Sequence, residues 1–169
     1  MVELFYEDTW NEWVSSGASL EDLTSVFLYS SGVINEEMIG NFVAYNYKSS
    51  TSGATKFGTP SITKGANYLT LARASSAMGA VFSSISIDVT NFSKIKINKI
   101  STNSGGSSNY TCSMGLCNEI KNNYVVATSI SIKGSGDTYL DISELSGKYF
   151  LYFALYSATT KIYSIQLIK

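Results

Sequence analysis

Two stretches of the chain, ISIDVTNFSKIKI (residues 85–97) and TYLDISELSGKYFLYF (residues 138–153), follow one pattern. In each, an apolar strand pattern ends at an aspartate, Asp88 or Asp141, followed by a β-branched residue and a hydroxyl residue. An aspartate side chain accepts hydrogen bonds from backbone N–H groups one or two residues further on, which closes tight corners between strands. The pattern therefore predicts two equivalent strand corners.

An apolar residue follows each predicted corner, Phe92 in the first stretch and Leu145 in the second. We expect both side chains to plug the end of the fold. A true repeat recurs at a fixed period, but here only one hairpin separates the two copies and there is no third. We interpret them as two corners of one jelly roll; the alternative is a coincidence between two hydroxyl-rich turns.

From Val26 onward, apolar residues alternate with Ser, Thr, Asn, Lys or Gln, which is the period of half-buried strands. Clusters of turn residues separate these strands, including KGSGDT at 133–138. The strand spacing, roughly 8 to 14 residues without a helical crossover, is typical of an antiparallel sandwich. The predicted fold class is all-β, an antiparallel jelly-roll β-sandwich. The strand patterns lie at residues 42–44, 68–72, 85–89, 95–97, 126–132, 151–155 and 163–167.

Only the beginning of the chain has a helical pattern. Tyr6, Trp10 and Trp13 recur at steps of four and three, with acidic and amide residues around them. This spacing predicts a short amphipathic helix. We therefore divide the chain into an N-terminal helical segment, residues 1–24, and a jelly-roll β-sandwich domain, residues 25–169.

The composition is that of a globular domain: 44% of the 169 residues are hydrophobic and 15% are charged. This excludes disorder, and one domain of this size buries roughly 70% of the surface of its unfolded chain. We expect no membrane insertion, because no apolar run approaches the ~20 residues of a membrane-spanning helix. The opening MVELFYEDTW also does not have the pattern of a secretory signal. We expect no nucleic acid partner, because Arg73 is the only arginine.

Cys112 and Cys117 are five residues apart in TCSMGLC. In one extended strand their Cα atoms would lie ~16 Å apart, so a disulfide needs a turn near Met114 and Gly115. We expect two reduced thiols on one strand of a hairpin whose partner strand begins near Tyr124. The chain has no histidine, which argues against a zinc site. We expect no cofactor; a structural calcium ion held by carboxylates and loop carbonyls is the open alternative.

Catalytic chemistry has little support in this sequence. Without histidine, a serine or cysteine nucleophile lacks its usual base, and neither a GxSxG elbow nor a phosphate-binding loop is present. Asp137 and Asp141 could form a carboxylate pair on one strand face. The simpler interpretation places Asp141 at the corner and Asp137 in a Gly-rich turn. We expect that the chain is not an enzyme.

The stretch KYFLYFALYS, residues 148–157, carries large apolar residues on both faces of one predicted strand. The face predicted to point inward carries Tyr149, Leu151, Phe153 and Leu155. The other face, which would be wet in a simple sandwich, carries Phe150, Tyr152 and Tyr156. Rigid rings with a polar tip stack on sugars and anchor protein interfaces. Tyr45 and Tyr47 would extend the same surface.

Three interpretations of this outward face stay open, because a patch of this size needs cover. The N-terminal helix could cover it with Trp10 and Trp13, a second subunit could cover it, or a glycan could bind it. The predicted binding residues, for a ligand or a protein, are Phe150, Tyr152, Tyr156, Tyr45, Tyr47, Trp10 and Trp13.

The stretch YLDISELSGKYFLYFALYSATTKIYSIQLI, residues 139–168, resembles the closing strands of galactose-binding-like and carbohydrate-binding jelly-roll modules. Together with FLYSSG at 27–32, NYLTL at 67–71 and IDVTNFSKIKI at 87–97, it is also similar to a module of tail-associated and minor structural proteins of phages and prophages. The resemblance covers roughly residues 26 to 168. It implies a jelly roll and carries no catalytic residues.

This resemblance implies a non-catalytic virion module, tail-associated or related to adsorption, that is assembled in the host bacterial cytoplasm. Its partners would be other virion proteins, further copies of itself in a homo-oligomer, or a host-surface glycan. The alternative function is a carbohydrate-binding module of a glycan-degrading enzyme, which would be extracellular.

Overall fold

The computed structural model describes residues 25–46, 57–74, 77–103, 112–120, 124–156 and 158–169. The predicted helical segment 1–24, with Trp10 and Trp13, and also Tyr47 lie outside the described residues. The division of the chain at residue 24 therefore stays a prediction.

In the part of the chain that the structure describes, two antiparallel sheets face each other across a shared core. The first has seven strands: β1 (Ser25–Ser30), β2 (Val33–Ile34), β4 (Ser61–Lys64), β5 (Leu69–Ala72), β8 (Lys94–Asn103), β11 (Gly134–Asp141) and β13 (Ala158–Ile168). The second has six: β3 (Phe42–Tyr45), β6 (Gly79–Ser83), β7 (Ile87–Asp88), β9 (Cys112–Cys117), β10 (Val126–Ile132) and β12 (Lys148–Leu155). The predicted antiparallel β-sandwich is confirmed.

The main hydrophobic core lies between the two sheets. The first sheet contributes Leu69, Leu71, Ile95, Ile97, Ile165 and Leu167, among others. The second contributes Val81, Met114, Leu116, Leu151, Phe153 and Leu155, among others. These residues follow the alternation of their strands, so the prediction that the leucines and Phe153 of β12 point inward is confirmed.

The two predicted corners are confirmed. Asp88 Oδ1 accepts hydrogen bonds from the backbone N of Thr90 (3.1 Å) and from its Oγ1 (2.6 Å). Asp141 Oδ1 accepts them from the backbone N of Ser143 (2.9 Å) and from its Oγ (2.6 Å). The residues that follow, as predicted, pack against the core: Phe92 and Leu145.

The two corners are arranged symmetrically, because they carry the chain between the two sheets in opposite directions. The first takes the chain from β7 in the second sheet to β8 in the first, and the second takes it from β11 back to β12. Because β8 pairs with β11 and β7 with β12, the corners lie side by side. Each aspartate is the register partner of the lysine that follows the other corner: Asp88 of Lys148, and Asp141 of Lys94.

The connection between β10 and β11 differs from the prediction. KGSGDT was expected to form a turn, but β11 already begins at Gly134, which leaves Lys133 as the only residue between two strands of different sheets. Gly134 has a φ of 61°, a conformation that glycine adopts without steric cost, so the chain redirects within one residue. Asp137 therefore lies on a strand. The buried Lys99 donates through Nζ to the carbonyl oxygen of Lys133 (2.8 Å).

β13 contains a bulge that the sequence pattern does not predict. The register shifts between Ile162 and Ser164, so that Ile162 and Ile165 both point into the core. A bulge inserts one extra residue on the bulged strand. The alternation predicts that Tyr163 shares the inward face of Ile165. Because of the bulge, Tyr163 lies instead on the outer side of the first sheet, against Tyr68.

The two cysteines lie as predicted. Both are free and buried on β9, whose hairpin partner β10 begins at Val126, just after an isolated bridge at Tyr124. The helix α1 (Glu36–Ile39) has no counterpart in the prediction; its cap residue Asn35 accepts a hydrogen bond from the backbone N of Met38 (3.3 Å).

The corners predict how stability responds to acid. Hydrogen bonds from Thr90 lower the pKa of Asp88, hydrogen bonds from Ser143 lower the pKa of Asp141, and Lys148 and Lys94 add smaller effects. Because the folded-state pKa lies below the unfolded value, this stabilisation is fully present above about pH 5 and is lost as the pH falls below about 4.

We therefore expect the double variant Asp88→Ala/Asp141→Ala to melt at a lower temperature at neutral pH. Its melting temperature should also fall less steeply with acid than that of the native chain, as thermal unfolding followed by circular dichroism would measure. Glu144→Gln, in the exposed part of the second corner, is the matched control. An acid dependence unchanged in the double variant would contradict the assignment.

Candidate functional site on the outer face of the second sheet

The outer face of the second sheet is lined by aromatic side chains, as the alternation on β12 predicts. Its central strand presents Phe150, Tyr152 and Ala154 on this side, and Tyr156 follows. The neighbouring strands contribute Phe82 from β6 and Tyr45 and Val43 from β3. We call this set the aromatic face.

Tyr152 lies across the backbone of β9 at Gly115, its register partner. A Cβ atom at Gly115 would stand 2.8 Å from Cε1 of Tyr152 and 2.3 Å from the carbonyl oxygen of Thr128. Only glycine leaves this space, and the tyrosine hydroxyl therefore reaches β10, where it forms a hydrogen bond with Ser129. This Gly115 contact fixes the position of the central ring.

Tyr124 completes the aromatic face, and sequence reasoning assigned it no role there. Its ring centroid lies 5.0 Å from that of Phe82 and 5.1 Å from that of Tyr152. These distances are within the range of favourable aromatic pairs. Tyr124 lies outside any alternating pattern, just after the loop NEIKNN, so no periodic signal identifies it.

The centre of the aromatic face is closed. Tyr152 is 2% exposed, and Phe82 and Tyr124 are fully buried. Tyr124 covers Tyr152 from the same chain, a fourth possibility beside the three interpretations drawn from the sequence. Cover by residues 1–24 or by another subunit stays untested.

The predicted binding residues therefore divide into three groups. Tyr152 is inside the cluster and has almost no free surface. Three others are half-buried and border the buried centre, and we call them the aromatic rim: Tyr45, Phe150 and Tyr156. The remaining three, Tyr47, Trp10 and Trp13, lie outside the described residues.

Burial shifts the titration of several groups on this face further toward the neutral form. It raises the pKa of Tyr152 and of Tyr124 above the ordinary tyrosine value. It also raises the pKa of the Cys117 thiol, and of Cys112 on the inward side of the same strand, to about 12. A thiol with this pKa is not ionised at neutral pH and is a poor nucleophile. The aromatic face thus offers apolar surface and hydroxyl groups rather than charge.

The carboxylates considered for catalysis or metal binding have structural partners. Asp137 accepts a hydrogen bond from Asn98 Nδ2 (2.7 Å) and lies 3.7 Å from Lys96 Nζ, and Asp141 closes its corner. Among the described residues, no group of three or more Cys, Asp or Glu side chains stands close enough to hold a metal ion. The calcium alternative stays untested. No helix in the described part of the chain is long and apolar enough to cross a membrane.

The hydroxyl groups of Tyr124 and Tyr152 have different surroundings, so replacing each tyrosine by phenylalanine should change the free energy of unfolding in opposite directions. Among the described residues, the buried hydroxyl of Tyr124 has no hydrogen-bond partner, whereas that of Tyr152 bonds to Ser129. We expect Tyr124→Phe to raise the free energy of unfolding by about 1 kcal/mol, because it removes an unsatisfied buried polar group. Tyr152→Phe should lower it by about 1 kcal/mol, because it breaks the hydrogen bond with Ser129.

Urea unfolding of both variants beside the native chain would measure this difference. Each variant is the control for the other, since both lose one hydroxyl group from the same cluster. Destabilisation of equal size in the two variants would contradict the different environments of the two hydroxyls.

Comparison with known proteins extends the description of the fold. No protein-family model matches the sequence, and a search of the curated proteins finds no match. The fold is similar to that of a variant of a family 29 carbohydrate binding module (TM-score 0.52, 10% identity, 85% of this chain and 91% of that chain). It is also similar to a family 11 carbohydrate-binding module from Clostridium thermocellum in complex with a β-1,3-1,4-mixed-linked tetrasaccharide (TM-score 0.51, 16% identity, 85% of this chain and 95% of that chain). At these identities the likeness shows the fold alone, a jelly-roll β-sandwich.

Proposed function

We propose that this chain is a non-catalytic carbohydrate-binding module whose aromatic rim binds a neutral glycan. The observation that carries the proposal is the combination of a jelly roll shared with carbohydrate-binding modules over 85% of the chain and half-buried rings around a rigid centre. This function was the alternative in the sequence analysis.

The rings of the rim are supported from below. The centroid of Tyr45 lies 6.1 Å from that of Phe82, which packs against Tyr124 and Tyr152. Arg73 donates through Nη1 to the carbonyl oxygen of Tyr156 (3.1 Å) and holds the chain where β12 ends. Rings that are ordered before the ligand arrives lose little conformational entropy on binding. This support favours a binding surface over a flexible patch.

In this proposal, Tyr152 and Tyr124 position the rim and do not contact the ligand. Their burial leaves almost no surface for stacking, and the hydroxyl of Tyr152 is engaged with Ser129. Because the thiol and hydroxyl groups of the face are neutral, the rim is suited to uncharged sugar rings, which present apolar C–H faces to aromatic side chains.

The virion module expected from the sequence stays a prediction, as do homo-oligomer formation and binding to other virion proteins. Glycan binding is common to both functions. A virion module that attaches to a host-surface glycan needs the same kind of binding surface as a carbohydrate-binding module. A module that binds polysaccharide would act where polysaccharide is found, outside the cell.

The test is affinity gel electrophoresis in mixed-linked β-1,3-1,4-glucan, with isothermal titration on its oligosaccharides. We expect the polysaccharide to retard the native chain. Each of the variants Tyr45→Ala, Phe150→Ala and Tyr156→Ala should weaken binding about fivefold, the effect of losing about 1 kcal/mol at an aromatic contact.

Tyr139→Ala is the matched control, because Tyr139 is an exposed tyrosine on the first sheet. It should bind like the native chain, and thermal melting should show that all variants are folded. A native chain that no neutral polysaccharide retards, in a panel that adds xylan and mannan, would contradict the proposal. So would rim variants that bind like Tyr139→Ala.

A further inference from the structure

The outer face of the first sheet carries a second cluster of aromatic and charged side chains, away from the aromatic face. On β13 the residues on either side of Lys161, Thr160 and Ile162, are buried, so Lys161 points outward. Its register partner on β5 is Thr70, and Tyr68 stands just before that strand on the same side. Lys161, Tyr68 and Tyr163 form what we call the lysine–tyrosine cluster.

Two features of the backbone hold its rings in place. The bulge in β13 turns Tyr163 onto the outer face, where its ring meets that of Tyr68 edge to face, with centroids 5.8 Å apart and planes at 62°. Gly65 lies under the ring of Tyr68, and a Cβ atom there would stand 2.9 Å from Cε2. The backbone N of Gly65 donates to the carbonyl oxygen of Tyr68 (2.8 Å). The backbone thus holds the two rings against each other.

Lys161 has no acidic partner among the described residues. Its Nζ atom stands 4.8 Å from the ring centroid of Tyr68, a cation–π contact that leaves the ammonium free to meet an anion. Lys96, on the neighbouring strand β8, differs because its Nζ lies 3.7 Å from a carboxylate oxygen of Asp137. Within the part of the chain that the structure describes, the face therefore presents a lysine ammonium that no carboxylate pairs and that stands beside two rings.

We propose that the lysine–tyrosine cluster binds an acidic polysaccharide, with Lys161 on the carboxylate of a uronic acid residue and the rings of Tyr68 and Tyr163 on the apolar faces of the sugars. A single ammonium is complementary to the single carboxylate of a uronic acid, and the rings supply the stacking surface. The proposal shares only the class of ligand with the proposed function, because it concerns another surface and a charged sugar.

The neighbouring side chains favour a glycan over a denser polyanion. The register places Ser164 beside Asn98 and Asn98 beside Asp137, so the backbone at Asp137 stands about 10 Å from β13 and its carboxylate bonds to Asn98 on the strand between them. The negative charge of this carboxylate would repel a polymer with closely spaced negative charges, such as duplex DNA. A polysaccharide with one charge per sugar can direct its hydroxyl groups toward the amide and hydroxyl side chains instead.

The test is affinity gel electrophoresis of the whole chain in polygalacturonate and in glucuronoxylan, each beside its carboxyl-reduced form. We expect at least one acidic polymer to retard the native chain more than its reduced form does, and less so at high salt. Lys161→Gln should weaken binding to the acidic polymer about fivefold and leave binding to the reduced form unchanged. Lys94→Gln, which removes the same charge from the same sheet, is the control.

A second pair of variants tests the rings. Tyr163→Phe keeps the stacking surface and should bind like the native chain, whereas Tyr163→Ala should bind more weakly. The proposal is overturned if no acidic polymer retards the chain, if Lys161→Gln and Lys94→Gln behave alike, or if duplex DNA is bound as tightly as the polysaccharide. Rim variants such as Tyr156→Ala should keep acidic binding, so failure of one site is distinguishable from failure of the other.

Discussion

The sandwich depends on the hydrogen bonds that Asp88 and Asp141 accept at the two corners. At these points the chain leaves one sheet and enters the other, and the corners also hold each other. Thr90 donates its hydroxyl to Asp88 and accepts from the backbone N of Gly147 at the second corner (3.0 Å). The backbone N of Ile142 in turn donates to the carbonyl oxygen of Ser93 after the first corner (2.8 Å). Both crossings are therefore closed by one network.

This network acts together with the hydrophobic alternation to set the strand registers, and the registers decide which side chains face outward. With the crossings in place, the registers of β8 with β11 and of β7 with β12 are set, and a slip of one residue would turn every side chain of a strand to the opposite face. β12 continues from the second corner, so its alternation places Leu151 in the core and Tyr152 on the outer face. The aromatic face thus follows from a turn that ends at Gly147, five residues before Tyr152.

How much was predictable depends on the range of the interaction. The two corners could be predicted, because each aspartate bonds to groups two residues away. The two faces of β12 could also be predicted, because alternation is a local pattern. The burial of Tyr152 could not, because it requires Tyr124, a residue without periodic context, to pack on it across the sheet. The bulge at Tyr163 could not, because Ser164 continues an apparently regular alternation. The start of β11 at Gly134 could not be predicted. The composition there indicates a turn, but the positive φ of Gly134 redirects the chain at a single residue.

The two outer surfaces differ because each sheet departs from regularity in its own way. Gly115 in β9 lets the ring of Tyr152 sink onto the backbone, which closes the centre of the aromatic face and leaves half-buried aromatic rings at its border. In β13 the bulge adds Tyr163 to the outer face, while Ile162 and Ile165 both stay in the core. The first sheet thus gains an aromatic side chain beside Lys161 without losing inward packing. The two outer faces are separated by a core about 10 Å thick, so residues on one face share no contact partner with residues on the other. Substitutions on the two faces should therefore affect binding independently.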